Sequence, residues 1–305
     1  MAIKFILFLA IRITKPKTLP NSMLNPLHCH HCKEQILDLS DPVVMGILNV
    51  TPDSFFDGGR YLEESAILRQ LEKMLEEGAS IIDIGGMSSR PGAELISETD
   101  ELRRVITIIL KIRHKFPQVI LSIDTLRSKV AVESIAAGAS IVNDISAGQI
   151  DEAMMKTVAE LKVPYILMHM QGRPNTMQTA PRYQNVTVDI LDFFIEKLGR
   201  LKELGVEEVV LDVGFGFGKT IEHNYQLLKN LAAFRILDCP LLVGLSRKSM
   251  IYKYLNISAE TALNGTTAIH MVALQNGAKI LRVHDVKEAV EAIRLWKVIE
   301  AQELI

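Results

Sequence analysis

From residue 43 onward the chain alternates short apolar runs with longer stretches in which apolar residues recur every three or four positions. The runs at 43–50, 80–85, 119–124, 140–144, 164–169, 208–213, 240–246 and 279–284 lack the alternation of a half-exposed strand. They suit strands covered on both faces, as in parallel sheets. The stretches between them, at 62–77, 98–114, 127–137, 151–162, 187–204, 222–235, 259–276 and 286–302, have the spacing of amphipathic helices. In the second of these, Ser97 and Asp100 form a capping-box-like start ahead of Leu102, Val105, Ile106 and Ile109. Gly78, Gly138, Gly205 and Gly277 each stand where a left-handed cap would close a helix before the next strand. Eight β-then-α units predict an α/β chain built as a single (β/α)8 TIM barrel over residues 37–305, with an N-terminal extension. A doubly wound sheet is the alternative, although it places its site at one crevice and not at every strand end.

Residues 1–36 fall outside this rhythm and are expected to be dispensable or partly ordered. Ile3–Ile11 is apolar for only about nine residues, against the roughly twenty that a membrane span needs. Its one lysine is Lys4 near the start, no small-x-small cleavage site follows, and Pro16 and Pro20 interrupt any helix. A non-essential leader with a start at Met23 is the expectation. His28-Cys29-His30-His31-Cys32 has residue types that bind zinc, but no second ligand cluster follows at finger-like spacing. A surface arm with incidental thiols is expected there.

Composition narrows the partners. Apolar residues make up 48% and charged residues 23%, which is ordinary for a well-cored globule. The net charge is −2 with no long basic block, so neither nucleic acid nor an anionic membrane is an expected partner. An anionic small substrate would need arginine and lysine placed locally. Three cysteines make no disulfide framework, which suits a cytoplasmic location.

Chemistry gathers where the apolar runs end. The first ends at Asn49 and feeds a loop with Phe55, Asp57 and a Gly-Gly pair. The second leads to Gly85-Gly86-Met87-Ser88-Ser89-Arg90-Pro91-Gly92, the third ends at Asp124, the fourth at Asn143-Asp144 and the fifth at His169. Asp212 closes the sixth, Ser246-Arg247-Lys248-Ser249 follows the seventh, and Arg282 and His284 lie on the eighth. Any one such ending is common, and a strand-end aspartate is often only a helix N-cap. Eight at the face where barrel enzymes act form a constellation. Asp124, Asn143 and Asp212 suit the amino and ring N–H edge of a flat heterocycle. Asn49, Arg247, Lys248, Arg282 and His284 supply donors and charge for phosphate oxygens, beside which carboxylates can also signal Mg2+. Gly214-Phe215-Gly216-Phe217-Gly218-Lys219-Thr220 fails both the Walker and the dinucleotide spacings. It reads as a glycine-rich loop close to a ligand, with Phe217 as a wall. His114, His223 and His270 fall on helices, away from that face.

These segments, from Val43–Gly59 through Arg282–Asp285, resemble in order the signatures of the dihydropteroate synthase family, in the larger class of pterin-binding barrels. The resemblance implies condensation of 6-hydroxymethyl-7,8-dihydropterin pyrophosphate with para-aminobenzoate, releasing pyrophosphate without a covalent enzyme intermediate. It implies that Asp124, Asn143, Asp212, Phe217, Lys248 and Arg282 hold the pterin. Asn49, Arg282 and His284 would hold the pyrophosphate, with Asn49 on Mg2+. Phe55, Ser89, Arg90, Pro91 and Ser249 would meet the aminobenzoate. Asp57, Lys248, Arg282 and His284 would carry the catalysis, in a cytoplasmic homodimer. Ser249 would gain from the amino end of the helix it opens. Two positions depart from the family: Met87 stands where it usually has Glu, and Val213 where it usually has Pro. A methyltetrahydrofolate–corrinoid methyltransferase and a non-catalytic pterin-binding barrel are the alternatives. Neither needs the aminobenzoate and pyrophosphate groups seen here.

Overall fold

The computed structural model describes residues 29–33, 35–50, 59–87, 96–173, 177 and 180–302. A short hairpin, β1 (Cys29–Cys32) and β2 (Gln35–Asp38), comes first. Eight strands follow: β3 (Val43–Asn49), β4 (Ile81–Gly85), β5 (Ile120–Asp124), β6 (Ile141–Asp144), β7 (Tyr165–Met168), β8 (Val209–Asp212), β9 (Leu241–Val243) and β10 (Ala278–Val283). They close a barrel in the order β10-β3-β4-β5-β6-β7-β8-β9, every neighbour parallel. Closure excludes the doubly wound alternative.

The helices are α1 (Gly59–Glu76), α2 (Glu98–Lys115), α3 (Ser128–Ala137), α4 (Met154–Leu161), α5 (Val186–Glu203), α6 (Ile221–Lys229), α7 (Ser249–Tyr252), α8 (Leu263–Gln275) and α9 (Val286–Glu300). Ser97 Oγ caps α2 by accepting the Asp100 N–H at 3.1 Å. The four closing glycines have φ between 78° and 129°. The stretch expected to be one helix at 222–235 divides into α6 and a 3-10 helix, Leu231–Leu237. The next helix starts later than expected, at Leu263, and is preceded by the single turn α7.

Strand geometry sorts the barrel's side chains with a period of two. Outward-facing Ile82, Ile84, Leu121, Ile123 and Val142 pack under the helices in the main core. Inward-facing Met45, Ile81, Ile141, Ile166, Val210, Leu242 and Ile280 fill the barrel's lower interior. Cys32, Leu37 and Leu39 of the hairpin region plug that layer from below. Each such burial contributes roughly 1.5–3 kcal/mol. The hairpin is tied on by Gln35 Nε2 to Gln118 O and Lys33 Nζ to Ile135 O, both at 2.6 Å. Cys32 of the extension is therefore part of the barrel floor and not an incidental surface thiol. Burial, with Glu208 adding, pushes its thiol up to about 12. Among the described residues no group of three His, Cys, Asp or Glu side chains is placed to hold a metal.

Two residues above the apolar layer the same inward parity brings up Asp83, Ser122, Asn143, Met168, Asp212 and Arg282. The interior thus changes from apolar to ionic within one step of the pleat. Asn49, Gly85 and Asp124 lie one step higher, at the strands' carboxyl ends.

Candidate active site

The ionic layer is organised around Arg282. Its Nε donates to Asp83 Oδ2 at 2.7 Å, and Nη2 donates to Asp124 Oδ2 at 2.8 Å. Asn143 Nδ2 donates to the same Asp83 oxygen at 2.9 Å. Burial alone would lower the Arg282 pKa, but Asp83 and Asp124 outweigh it and hold the group above the ordinary arginine value. Burial pushes Asp124 above the usual carboxylate range against the pull of Arg282, with Asp83, Glu101 and Asp144 adding to the push. Asp83 lies inside an apolar run, so the strand-end pattern does not mark it. Its signal is parity, two residues after inward-facing Ile81.

A second group forms around β8 and the loops after β8 and β9. Asp212 Oδ1 accepts the Gly214 N–H at 2.8 Å. Burial raises the Asp212 pKa, while that bond, Lys248 and Arg282 hold it down. Lys248 Nζ lies 4.3 Å from the centroid of the Phe217 ring. Burial, with Arg282 adding, lowers Lys248 to about 8 against the pull of Asp212 and Asp124. A Cβ on Gly216 would come within 3.3 Å of Lys248 Cδ, so glycine lets the loop lie against this side chain. Lys219, not marked from the sequence as a site residue, is buried in the same loop and bonded to the end of β7.

The phosphate donors expected from the sequence divide. His284 follows β10, its N–H donates to Ser246 Oγ at 3.2 Å, and its Nδ1 is 3.1 Å from that hydroxyl. Burial and Arg282 lower the imidazole to about 4, so the ring is neutral at pH 7. Arg247 is not available to phosphate. Its Nε and Nη2 grip Asp285 at 2.9 and 2.7 Å, and Nη1 donates to Glu260 O at 3.2 Å. Asn49 is half-buried at the end of β3, with Oδ1 near Gly85. Ser249 follows Lys248 and opens α7, whose four residues are too few for the expected helix-end attraction.

Met87 is buried in an apolar cluster with Leu126, Ile145, Met168, Met170, Met177 and Phe217. Val213 is buried in the main core. Phe55, Asp57, Ser89, Arg90 and Pro91 lie outside the described residues. His223 belongs to the capping box of α6, and His270 is buried with no hydrogen-bond partner at Nε2.

Comparison with known proteins gives one answer. Residues 45–284 match the family described as pterin binding enzyme. The chain is 48% identical over 261 residues to the dihydropteroate synthase of Escherichia coli (strain K12), covering 85% of this chain and 92% of that protein. Yersinia pestis dihydropteroate synthase, solved in a sulfonamide drug complex, superposes with a TM-score of 0.83 at 44% identity, covering 88% of this chain and 98% of that one. Xanthomonas albilineans dihydropteroate synthase in complex with 7,8-dihydropteroate superposes with a TM-score of 0.81 at 37% identity, covering 90% and 100%.

Proposed function

The chain belongs to the pterin-binding enzymes and, within them, to the dihydropteroate synthase family, and from that premise we propose how its strand ends carry the reaction. The activity is that of a transferase: 6-hydroxymethyl-7,8-dihydropterin pyrophosphate and para-aminobenzoate give 7,8-dihydropteroate and pyrophosphate. The observation that carries the assignment of residues is the buried cluster of Arg282, Asp83, Asp124 and Asn143, on a frame 48% identical to a synthase.

Asp124, Asn143 and Asp212 meet the amino and ring N–H groups along the pterin edge. Lys248 donates from above Phe217, and the Arg282 plane lies against the ring. Because Asp83 and Asp124 hold two of the three nitrogens of that guanidinium, it is oriented before substrate arrives, which is the condition for electrostatic catalysis. With Nδ1 facing the Ser246 hydroxyl, the neutral His284 ring keeps its Nε2–H for a pyrophosphate oxygen. Asn49 offers Mg2+ one hard amide oxygen. That ion commonly takes one or two protein ligands, with phosphate oxygens and waters completing the octahedron, so the donor fits. When bound, Mg2+ supplies charge that offsets the leaving pyrophosphate.

Pyrophosphate departs from the exocyclic methylene as the C–O bond breaks and takes the electron pair. The arylamine nitrogen bonds to the same carbon and then loses a proton. The carboxylates beside the pterin stabilise positive charge spread over its ring. No enzyme nucleophile is required, and Ser249 serves the aminobenzoate carboxylate as a hydrogen-bond donor. Phe55, Asp57, Ser89, Arg90 and Pro91 complete the aminobenzoate side. No described helix is long and apolar enough to cross a membrane. We assign the enzyme to the cytoplasm, as a homodimer whose mass light scattering would report. The direct test is incubation with both substrates and Mg2+. Pyrophosphate release that depends on aminobenzoate is expected, and no release with both present overturns the reading.

A further inference from the structure

Lys219 is a buried cation for which the steps above have no use. Its Nζ finds three acceptors: His169 Nδ1 at 3.0 Å, Phe217 O at 3.0 Å and His169 O at 3.3 Å. They belong to two segments, the end of β7 and the glycine-rich loop after β8. These segments touch so closely that a Cβ on Gly214 would collide with His169 O, and one on Gly218 with Gln171 O. The His169 N–H donates to Asp212 O at 2.9 Å, so the contact reaches the strand that bears Asp212. The same loop carries Gly216 and Phe217, the residues against which Lys248 lies. Among the described residues no carboxylate pairs directly with Lys219 Nζ. A methionine would fill the same space without the cost of burying an ammonium.

We propose that Lys219 is a positioning residue for the pterin half of the site: it fastens the Phe217 carbonyl to His169 and thereby fixes the ring on which Lys248 rests. Lys248 and Asp212 then face the pterin edge together. This inference rests on the reading of Asp212, Phe217 and Lys248 as pterin contacts.

Lys219→Met keeps the length of the side chain and removes its donors. Steady-state kinetics should show KM for the pterin pyrophosphate raised about tenfold or more, the scale of losing a charge-assisted hydrogen bond. kcat should stay within about twofold, since Arg282 and His284 at the leaving group are untouched. Phe217→Leu alone should also raise the pterin KM, and Lys219→Met should add little to it, because both act through one contact. Should Lys219→Met fold poorly, His169→Leu removes a single acceptor and should give the same split on a smaller scale. A wild-type pterin KM, a loss confined to kcat, or full additivity with Phe217→Leu overturns the inference. An unchanged pterin KM in Phe217→Leu alone overturns instead the pterin wall on which the inference rests.

Discussion

Replacing Asp83 by asparagine changes a charge and hardly any shape. The carboxylate is fully buried, and its Oδ2 receives Arg282 Nε at 2.7 Å and Asn143 Nδ2 at 2.9 Å. An asparagine oxygen turned the same way keeps both bonds. Its amino group then occupies the place of Oδ1, an atom already buried without a partner. What is lost is the Coulombic hold on a buried guanidinium. Removing one member of a buried pair costs about 3–5 kcal/mol, and because Asp124 still faces Arg282 the expected loss is at the low end, about 3 kcal/mol. Calorimetry should therefore record a Tm lower by roughly 6 °C or more, at about 2 °C per kcal/mol for a domain of this size. If half of the loss falls on the transition state, kcat/KM for the pterin pyrophosphate drops about tenfold in a pyrophosphate-release assay. Wild-type Tm and kinetics in Asp83→Asn would refute the claim that this carboxylate holds Arg282. A lower Tm with unchanged kinetics would confine Asp83 to the fold.

The pH profile of kcat/KM should fall on the alkaline side near pH 8, where Lys248 loses its proton, and on the acid side as the raised Asp124 gains one and gives up its charge on Arg282. The folded pKa of Lys248 is below its ordinary 10.5, so the buried ammonium weakens the fold below about 8, and the penalty is relieved as pH rises from there through 10.5. Lys248→Met should thus lower kcat/KM about 100-fold while Tm stays level or rises; a wild-type kcat/KM removes Lys248 from the pterin contacts. Met87→Glu would bury a carboxylate among Leu126, Ile145, Met168, Met170, Met177 and Phe217, costing about 2.7 kcal/mol for a two-unit rise in its pKa. Its Tm should fall with no gain in turnover, and a rise by orders of magnitude would mark Met87 as a lesion. Chelation of divalent cations should stop pyrophosphate release without moving Tm, Mg2+ should restore it, and Asn49→Ala should raise the Mg2+ needed. Undiminished release after chelation excludes a metal there.

The barrel was legible because parallel strands buried on both faces leave unbroken apolar runs, such as Val43–Leu48, with helical spacing between them. The strand-end residues were legible for a related reason: where an apolar run breaks into Asp, Asn or Arg, the chain has reached the mouth of the barrel. Asp83 was not, because a single carboxylate inside Ile81–Gly85 reads as an interruption until its inward parity is known. The hairpin was hidden because Cys-His-His-Cys has little strand signal of its own, and only the open barrel floor gives Cys32 and Leu37 something to cover. Arg247 looked like its neighbour Lys248 in sequence; tertiary pairing with Asp285 separates their roles.

Charge balance supports the proposed metal. Arg282, Lys248 and Lys219 face the carboxylates Asp83, Asp124 and Asp212, three against three, and buried Asp144 adds a fourth carboxylate that acts on Asp124. A nearly balanced interior is what a barrel can bury, since each unpaired ion there would cost several kcal/mol. The same balance leaves no surplus positive charge for a pyrophosphate group. His284 is neutral at pH 7 and gives a hydrogen bond without charge, while Arg247 is already paired with Asp285. Among the described residues, then, the proposed pyrophosphate contacts would orient the leaving group without neutralising it. The proposed divalent cation, arriving with the substrate, would supply that charge only when the anion is present, and the empty barrel would never have to bury it.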